Sequence, residues 1–416
     1  MRPISSHERS VLFATCVSSL GSFYTLAVAG FAMPQIQRGL SIPEDEIASL
    51  FALLRFGTLF SLVLAVLADR MGRRRLLVAS VVGCALCNLA TAFAPSGLAF
   101  AWLQLGARLF VGAQILLASV VVSEELSADN RGWGLGVLTA VGSMGGALTI
   151  LAYAFVDYLP FGWRALFVVG SFGLLCVPWL RRSLQETKRF SDQQGQRDVG
   201  LEDAPAWQPL RGIVRLHGWR LAALVGVIVP VAVILEPGSV FVSKHLQHDL
   251  GYSPGQVGLM LGACGIGAPL GNMLAGMISD RLGRKPVAIL MSLLLSLAFA
   301  VFYNGTGTVA VALGLALFFM SMGGLMVLHT ALATELFPTG LRSTAAGVRE
   351  AVATVGSSAG LWILSLLYAV TSSHAASITW LLILTPISPL ILLLIPETAR
   401  RELEEISPDQ AGATAP

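Results

Sequence analysis

Three ionisable residues, Arg55, Arg108 and Glu236, stand well inside long apolar runs, where such side chains are costly and therefore mark a candidate site. A guanidinium presents a rigid fork of N–H donors matched to carboxylate or phosphate, so Arg55 and Arg108 together suit a small anion. Arg55 precedes Asp69 by 14 residues, roughly 21 Å of helix. Glu236 lies 16 residues past Arg220, roughly 24 Å along its run. A carboxyl group in low dielectric is a candidate for reversible protonation. The Pro237-Gly238 pair that follows it predicts a helix break. Each residue also has a structural reading: Arg55 snorkels or pairs within its bundle, Arg108 is structural or serves coupling, and Glu236 pairs with an arginine.

Other polar positions are weaker candidates. His329 titrates in a useful range, although a solitary histidine near a helix end is more often structural. Arg349 and Glu350 are neighbours that cannot share one helical face, so each calls for a separate partner. Tyr24, Gln35, Asn88, Gln114 and Asn272 supply hydrogen-bonding groups for a substrate, though most polar residues in bundles merely pack. Cys84 and Cys87 form a Cys-x-x-Cys with no further ligands nearby on that run, which reads as packing and leaves no metal site. No nucleophile elbow, zinc-protease motif or phosphate-cradling loop occurs, so neither an enzyme nor a primary pump is expected, and no cofactor is implied.

A second set of charges is duplicated. Residues 69–75 read Asp-Arg-Met-Gly-Arg-Arg-Arg and residues 280–286 read Asp-Arg-Leu-Gly-Arg-Lys-Pro, an offset of 211. At the same offset Glu124, Arg131 and Gly136 map onto Glu335, Arg342 and Gly347, and Glu186-Thr187 maps onto Glu397-Thr398. The chain is thus a duplicated unit with equal internal lengths. Asp69 and Asp280 fit the positive N-terminus of a neighbouring helix. Arg73 and Arg284 are expected to pair with Glu124 and Glu335, and the set, with Arg131 and Arg342, forms a conformational latch. Attraction at a half-wet interface contributes about 1–3 kcal/mol, enough to bias one state without freezing it.

The elements that position these groups follow from composition. Only 12% of residues are charged, 55% are hydrophobic and mean hydropathy is +0.74, so a soluble fold is excluded and the bilayer is the solvent. Twelve apolar stretches reach the length needed to cross the hydrocarbon core, at 11–33, 46–68, 76–94, 98–123, 133–156, 164–180, 220–243, 254–278, 287–304, 308–334, 345–370 and 375–395. All should be helical, because backbone groups in lipid must be satisfied within their own segment. The expected fold is an all-α membrane protein of twelve helices in two pseudo-symmetric six-helix bundles. Residues 1–180 form the first bundle, 181–219 a cytoplasmic linker, 220–396 the second bundle and 397–416 a cytoplasmic tail.

Orientation follows from the basic residues. With the N-terminus inside, the cytoplasmic loops hold 21 of the 27 Lys and Arg, whereas Arg38, Arg164 and Lys244 alone lie outside and Arg55, Arg108 and Arg349 lie within spans. Both termini are therefore placed in the cytoplasm, with an uncleaved first helix. Trp102, Trp163 and Trp380 near outer ends, and Trp133, Trp179 and Trp219 near inner ends, fit interfacial belts. Within the linker, Trp207 to Leu216 reads as a short amphipathic helix with Arg211 and Arg215 toward headgroups. Glycines of the fifth span (Gly136, Gly142, Gly145, Gly146) and the eighth (Gly258, Gly262, Gly265, Gly267, Gly271, Gly276) predict close, sliding helix contacts. A net charge of +3 gives no sign of a nucleic-acid partner.

Over essentially its full length the chain resembles the major facilitator superfamily. The loops at 69–75 and 280–286 look like its signature, with the glycine four residues before the Asp present as Gly276 and replaced by Ala65 in the first copy. Glu124 with Arg131-Gly132, Glu186-Thr187, and Pro396-Glu397-Thr398 with Glu404-Glu405 resemble the sugar-porter and metabolite:proton symporter branches. Arg108 with Gly112 resembles an Arg-x-x-x-Gly element of proton-coupled members, while the fifth span lacks the Gly-Pro pair of drug exporters. The stretch Ser22 to Gly30 has no Asp, so the coupling arrangement of sugar and aromatic-acid symporters does not carry over. The resemblance implies bundles rocking about a central site, with charged loops stabilising the outward-facing state. The expected activity is symport of a small organic anion with protons, by a monomer in a bacterial cytoplasmic membrane. Substrate candidates are Arg55, Arg108, Tyr24, Gln114 and Asn272; coupling candidates are Glu236, Arg108, His329 and Glu350. The alternatives are a sugar or polyol symporter, a proton-driven exporter, and a nontransporting sensor.

Overall fold

Residues 4–183, 208–338 and 341–397 are described by the computed structural model, and no strand occurs among them. The first half comprises α1 (Ser6–Phe31), α2 (Met33–Gly39), α3 (Ile47–Met71), α4 (Arg73–Ala92), α5 (Gly97–Glu125), α6 (Ala128–Ala154), α7 (Trp163–Gly170) and α8 (Gly173–Ser183). The second comprises α9 (Gln208–Val240), α10 (Pro254–Gly265), α11 (Gly267–Leu282), α12 (Arg284–Asn304), α13 (Thr308–Glu335), α14 (Arg342–Thr371), α15 (His374–Leu381) and α16 (Ile387–Leu394). Among the described residues, eleven helical segments are long and apolar enough to cross a bilayer, and Ile47–Ser61 within α3 is a shorter apolar twelfth. Leu148, Leu366 and Val370 point outward at 43%, 73% and 84% exposure, an arrangement that only a hydrocarbon solvent makes favourable.

Several spans that read as continuous are interrupted. The sixth breaks between α7 and α8, the eighth at Ile266 between α10 and α11, and the twelfth between α15 and α16. The break expected at Pro237-Gly238 is not there: α9 runs through Pro230 and Pro237 to Val240 and ends at Phe241. The carbonyl that Pro237 frees, that of Val233, lies so close to Gly360 of α14 that a methyl there would sit 2.1 Å from it. The neighbouring helix thus shields what the proline leaves open. The non-helical residue of α9 is His217, at φ −131° and ψ 30°. Of the expected amphipathic segment, residues 208–216 form the first part of α9, with Ile213 buried and Arg211 and Arg215 exposed, and Trp207 lies outside the described residues.

Two compact units emerge. The first gathers the described residues of Met1–Asp203 with Val240–Leu259, and the second those of Ala204–Ser239 with Met260–Pro416. In the first, α1 packs on α6 and α5, and α5 on α3 and α4; in the second, α13 packs on α11 and α12. Close approach is set by glycine at duplicated positions. A methyl at Gly112 would meet Ser61 Oγ at 2.3 Å, and one at Gly323, 211 residues later, Ala268 O at 2.0 Å. A methyl at Gly145 would meet Leu20 O at 2.1 Å, whereas the adjacent Gly146 has nothing within 4 Å. Of the eighth-span glycines, a methyl at Gly271 would meet Met320 O at 1.9 Å, whereas Gly262, Gly265 and Gly276 face open space.

The start of α1 is fastened within the first unit. Ser5 and Glu8 form a capping box, and Glu8 Oε1 also accepts the backbone N–H of Ser127 at 2.9 Å, at the start of α6. His7 Nε2 lies 2.9 Å from Glu125 Oε2. Trp102, Trp219 and Trp380 are exposed, in keeping with interfacial positions, but Trp163 is 5% exposed and stacks edge-on with Phe100 and Phe167. Arg164 lies 4.4 Å over its ring, so Trp163 packs the core.

Candidate functional site

The duplicated turns are built by glycine. Gly72 and Gly283 adopt φ 100° and 109°, values that side chains avoid, and each ends one helix and starts the next. In the first unit Arg73 Nη2 lies 3.3 Å from Glu124 Oε1, with both side chains at most a tenth exposed. In the second, Arg284 bridges Asp280 at 2.7 Å and Glu335 at 3.2 Å. Glu397 completes this cluster by accepting the Arg284 and Lys285 backbone N–H groups. Arg131 is partly buried. The side chains of Asp69 and Arg342, and the residues Glu186 and Glu404-Glu405, lie outside the described set.

Two of the three cations within spans, Arg55 and Arg108, occupy one packed pair of helices. Arg108 on α5 is 5% exposed, and its Cβ lies 3.0 Å from where a Cβ on Gly57 of α3 would stand, two residues past the half-buried Arg55. The bare Cα of Gly57 lets α3 seat against α5 at this level. Burying a guanidinium within an apolar span is expensive unless its N–H groups are paired.

Tyr24 and Gln114 are held by their own bundle. Tyr24 donates its hydroxyl to Leu166 O at 2.9 Å. Gln114 accepts from Ser18 and Ser22 at 3.3 and 3.0 Å and donates to Ser80 O at 3.0 Å. Asn88 joins α4 to Thr25 at 2.8 Å and to Gly170 O at 3.3 Å. These contacts knit the bundle internally.

In the second unit Glu236 is 6% exposed on α9, while Asn272 of α11 is exposed. His329 of α13 is 7% exposed, and its Nε2 makes no hydrogen bond among the described residues. Arg349 and Glu350 do not take separate partners as their adjacency suggested: Arg349 Nη2 lies 2.7 Å from Glu350 Oε2. A guanidinium on a three-carbon stem folds back along the helix surface far enough to reach its neighbour.

A polar group that the motifs did not single out lies at the far end of the first unit, where Val240–Leu259 joins it. Ser243 donates to Phe31 O at 2.7 Å, Tyr153 and Ser243 share a hydrogen bond at 3.0 Å, and Gln247 bonds Tyr153 and accepts from Gln35 at 2.8 Å. Lys244, 5% exposed, donates to Gln37 Oε1 at 2.8 Å and pairs with Glu44. One signal pointed here: Arg38, Arg164 and Lys244 are the three exceptions to the basic-residue asymmetry, and all three are engaged in this unit.

Two bundles with duplicated charged turns define a membrane transporter, and comparison with known proteins agrees. The profile of the Major Facilitator Superfamily matches residues 11–236 and 223–414, so the chain belongs to that superfamily and is a multi-pass membrane transporter of small molecules rather than an enzyme. It is 29% identical over 371 residues to the 3-(3-hydroxy-phenyl)propionate transporter of Escherichia coli (strain K12), covering 86% of this chain and 87% of that one. It is 24% identical over 319 residues to the proline/betaine transporter of Salmonella typhimurium, covering 69% and 62%. Among solved structures, a D-xylose-proton symporter superposes with a TM-score of 0.75 at 16% identity, covering 96% of this chain and 99% of that one.

Proposed function

We propose that this transporter carries a small organic anion of the carboxylate class, driven by the proton gradient through alternating access of the two bundles. The observation that carries this reading is Arg108, a guanidinium 5% exposed within an apolar span, on the helix packed against that of Arg55. A carboxylate is the ligand such a fork matches. The similarity to a transporter named for a phenylpropionate, itself an aromatic carboxylate, supports the same class. Glu236, His329 and Glu350 are the proton-coupling candidates. Asp69, Arg73, Glu124, Arg131, Asp280, Arg284, Glu335 and Arg342 serve as the latch that biases one state. The protein works as a monomer in a bacterial cytoplasmic membrane with both termini inside, residues 181–219 linking the bundles.

The test is uptake of labelled organic acids and sugars into proteoliposomes, with and without an inward proton gradient. Acid accumulation that needs the gradient, falls about tenfold or more in Arg55→Gln or Arg108→Gln, and loses its gradient dependence in Glu236→Gln is the expected result. Sugar uptake indifferent to Arg55 would overturn the anion reading, and full gradient-driven accumulation by Glu236→Gln would remove Glu236 from coupling.

A further inference from the structure

Beside the polar group around Lys244 lies a cavity of about 670 Å³, whose lining includes Gln37, Arg38, Glu44, Lys244, Gln247 and His248. We propose that it is a second, peripheral binding site for a small monocarboxylate, seated between the Lys244 ammonium and the Arg38 guanidinium. The ligand class rests on the transport reading above; the site does not, because none of these residues belongs to the Arg55 and Arg108 helix pair.

Donors without protein acceptors carry the argument. An ammonium has three N–H donors. Lys244 gives one to Gln37 and one to Glu44, and among the described residues no acceptor takes the third. Arg38 is exposed and donates Nε to Pro34 O at 3.3 Å; among the described residues no carboxylate lies within 4.0 Å of its guanidinium, so its other N–H groups are open to water or to a ligand. Two cations therefore line one cavity with N–H groups left over, and the cavity falls in the size range of small-molecule sites.

Glu44 shows what the site accepts. Its carboxylate rests on Lys244, yet its side chain is 41% exposed, so releasing it to water costs little. An incoming carboxylate that takes the same ammonium replaces one ion pair by another of the same kind, and the Arg38 fork supplies the surplus. The walls are fixed beforehand. Gln37 is 7% exposed and donates to Ile42 O at 3.3 Å, and Gln247 is held by Tyr153, Ser243 and Gln35. Among the lining residues, Arg38 and Lys244 against Glu44 leave one positive charge, the match of a monoanion; Asp249, which is not in the lining but also acts on Lys244, is faced by His245 at 2.7 Å and His248 at 3.0 Å.

Three lysines in the chain, Lys188, Lys244 and Lys285, make the test site-resolved. The protein in proteoliposomes is acetylated with an N-hydroxysuccinimide ester, and each lysine is followed by mass spectrometry with benzoate as the probe. At twice its Kd, benzoate is expected to slow acetylation of Lys244 about threefold and leave Lys285 unchanged, whereas neutral benzamide has no effect. Arg38→Gln removes the protection, and Glu44→Gln lowers the protecting concentration because the resident carboxylate is gone. Protection equal with benzamide, no protection by benzoate, or a raised protecting concentration in Glu44→Gln overturns the proposal. Equilibrium dialysis of labelled benzoate reads the site independently of lysine reactivity: Lys244→Gln removes one bound equivalent, and an unchanged stoichiometry overturns it. Carboxylate uptake by the same vesicles separates the two readings. Uptake without protection removes this site and leaves the transport reading; protection without uptake of any carboxylate removes the cargo class and leaves the site.

Discussion

The carboxylate of Glu397 accepts the backbone N–H of Arg284 at 2.7 Å and, through its other oxygen, that of Lys285 at 3.1 Å. It thus occupies the positive end of α12 and satisfies two of the donors that a helix start leaves open. This side chain, together with the Lys285 ammonium that donates to Leu393 O at 3.1 Å, ties the last spanning helix to the charged turn more than a hundred residues earlier.

Glu397→Ala is expected to lower stability by about 1–2 kcal/mol, the cost of losing a helix cap. Glu397→Gln retains one oxygen and should lose less. Thermal melting in detergent reads the difference, and an alanine variant as stable as the parent would show that the cap contributes nothing.

The two latch pairs should differ in strength. Arg73 and Glu124 are 8% and 10% exposed, against 18% and 17% for Arg284 and Glu335. Removing one partner of the drier pair strands a charge with less water to solvate it, so Glu124→Gln should cost more than Glu335→Gln, by about 1–2 kcal/mol. Double-mutant cycles with Arg73→Gln and Arg284→Gln measure the coupling; equal coupling energies would contradict the burial argument.

Adjacent glycines give a sharper test. Gly145→Ala drives a methyl to 2.1 Å from Leu20 O and should abolish folding or flux, whereas Gly146→Ala meets nothing within 4 Å. The latter should gain about 0.5–1 kcal/mol of helix stability. Gly271→Ala and Gly276→Ala should divide in the same way. Matched expression and transport across either pair would refute the close-contact assignment.

Gln114 separates a packing role from a binding one. Its amide joins Ser18, Ser22 and Ser80 inside the first unit, so Gln114→Leu should lower stability by about 1–3 kcal/mol through the polar groups it orphans. Substrate affinity measured on the surviving folded fraction should stay near the parent value. A large rise in KM with unchanged melting would place Gln114 in the substrate path instead.

Much of the architecture was legible because charge is scarce in this chain. A duplicated Asp-Arg-x-Gly-Arg stands out against apolar runs, and its spacing led to the Arg73–Glu124 and Arg284–Glu335 pairs. The interruptions were less legible. Pro237 suggested a break, but whether a proline opens a helix depends on what covers the freed carbonyl, here Gly360, which is distant in sequence. Lys244 and Gln37, and Glu8 and Ser127, meet across separations of 207 and 119 residues with no repeat to flag them. Arg349 and Glu350 misled in the other direction, because backbone phase does not limit where a long side chain reaches.

The fastening of Glu8 to Ser127 also sets an order of events during synthesis. The acceptor oxygen and its amide partner are 119 residues apart, so α1 enters the membrane long before the amide that engages Glu8 exists. At ribosomal speed that interval is roughly 6–24 s. Throughout it the start of the first helix rests on its own Ser5–Glu8 box, and the first bundle is locked at that end only when the turn before α6 has left the ribosome.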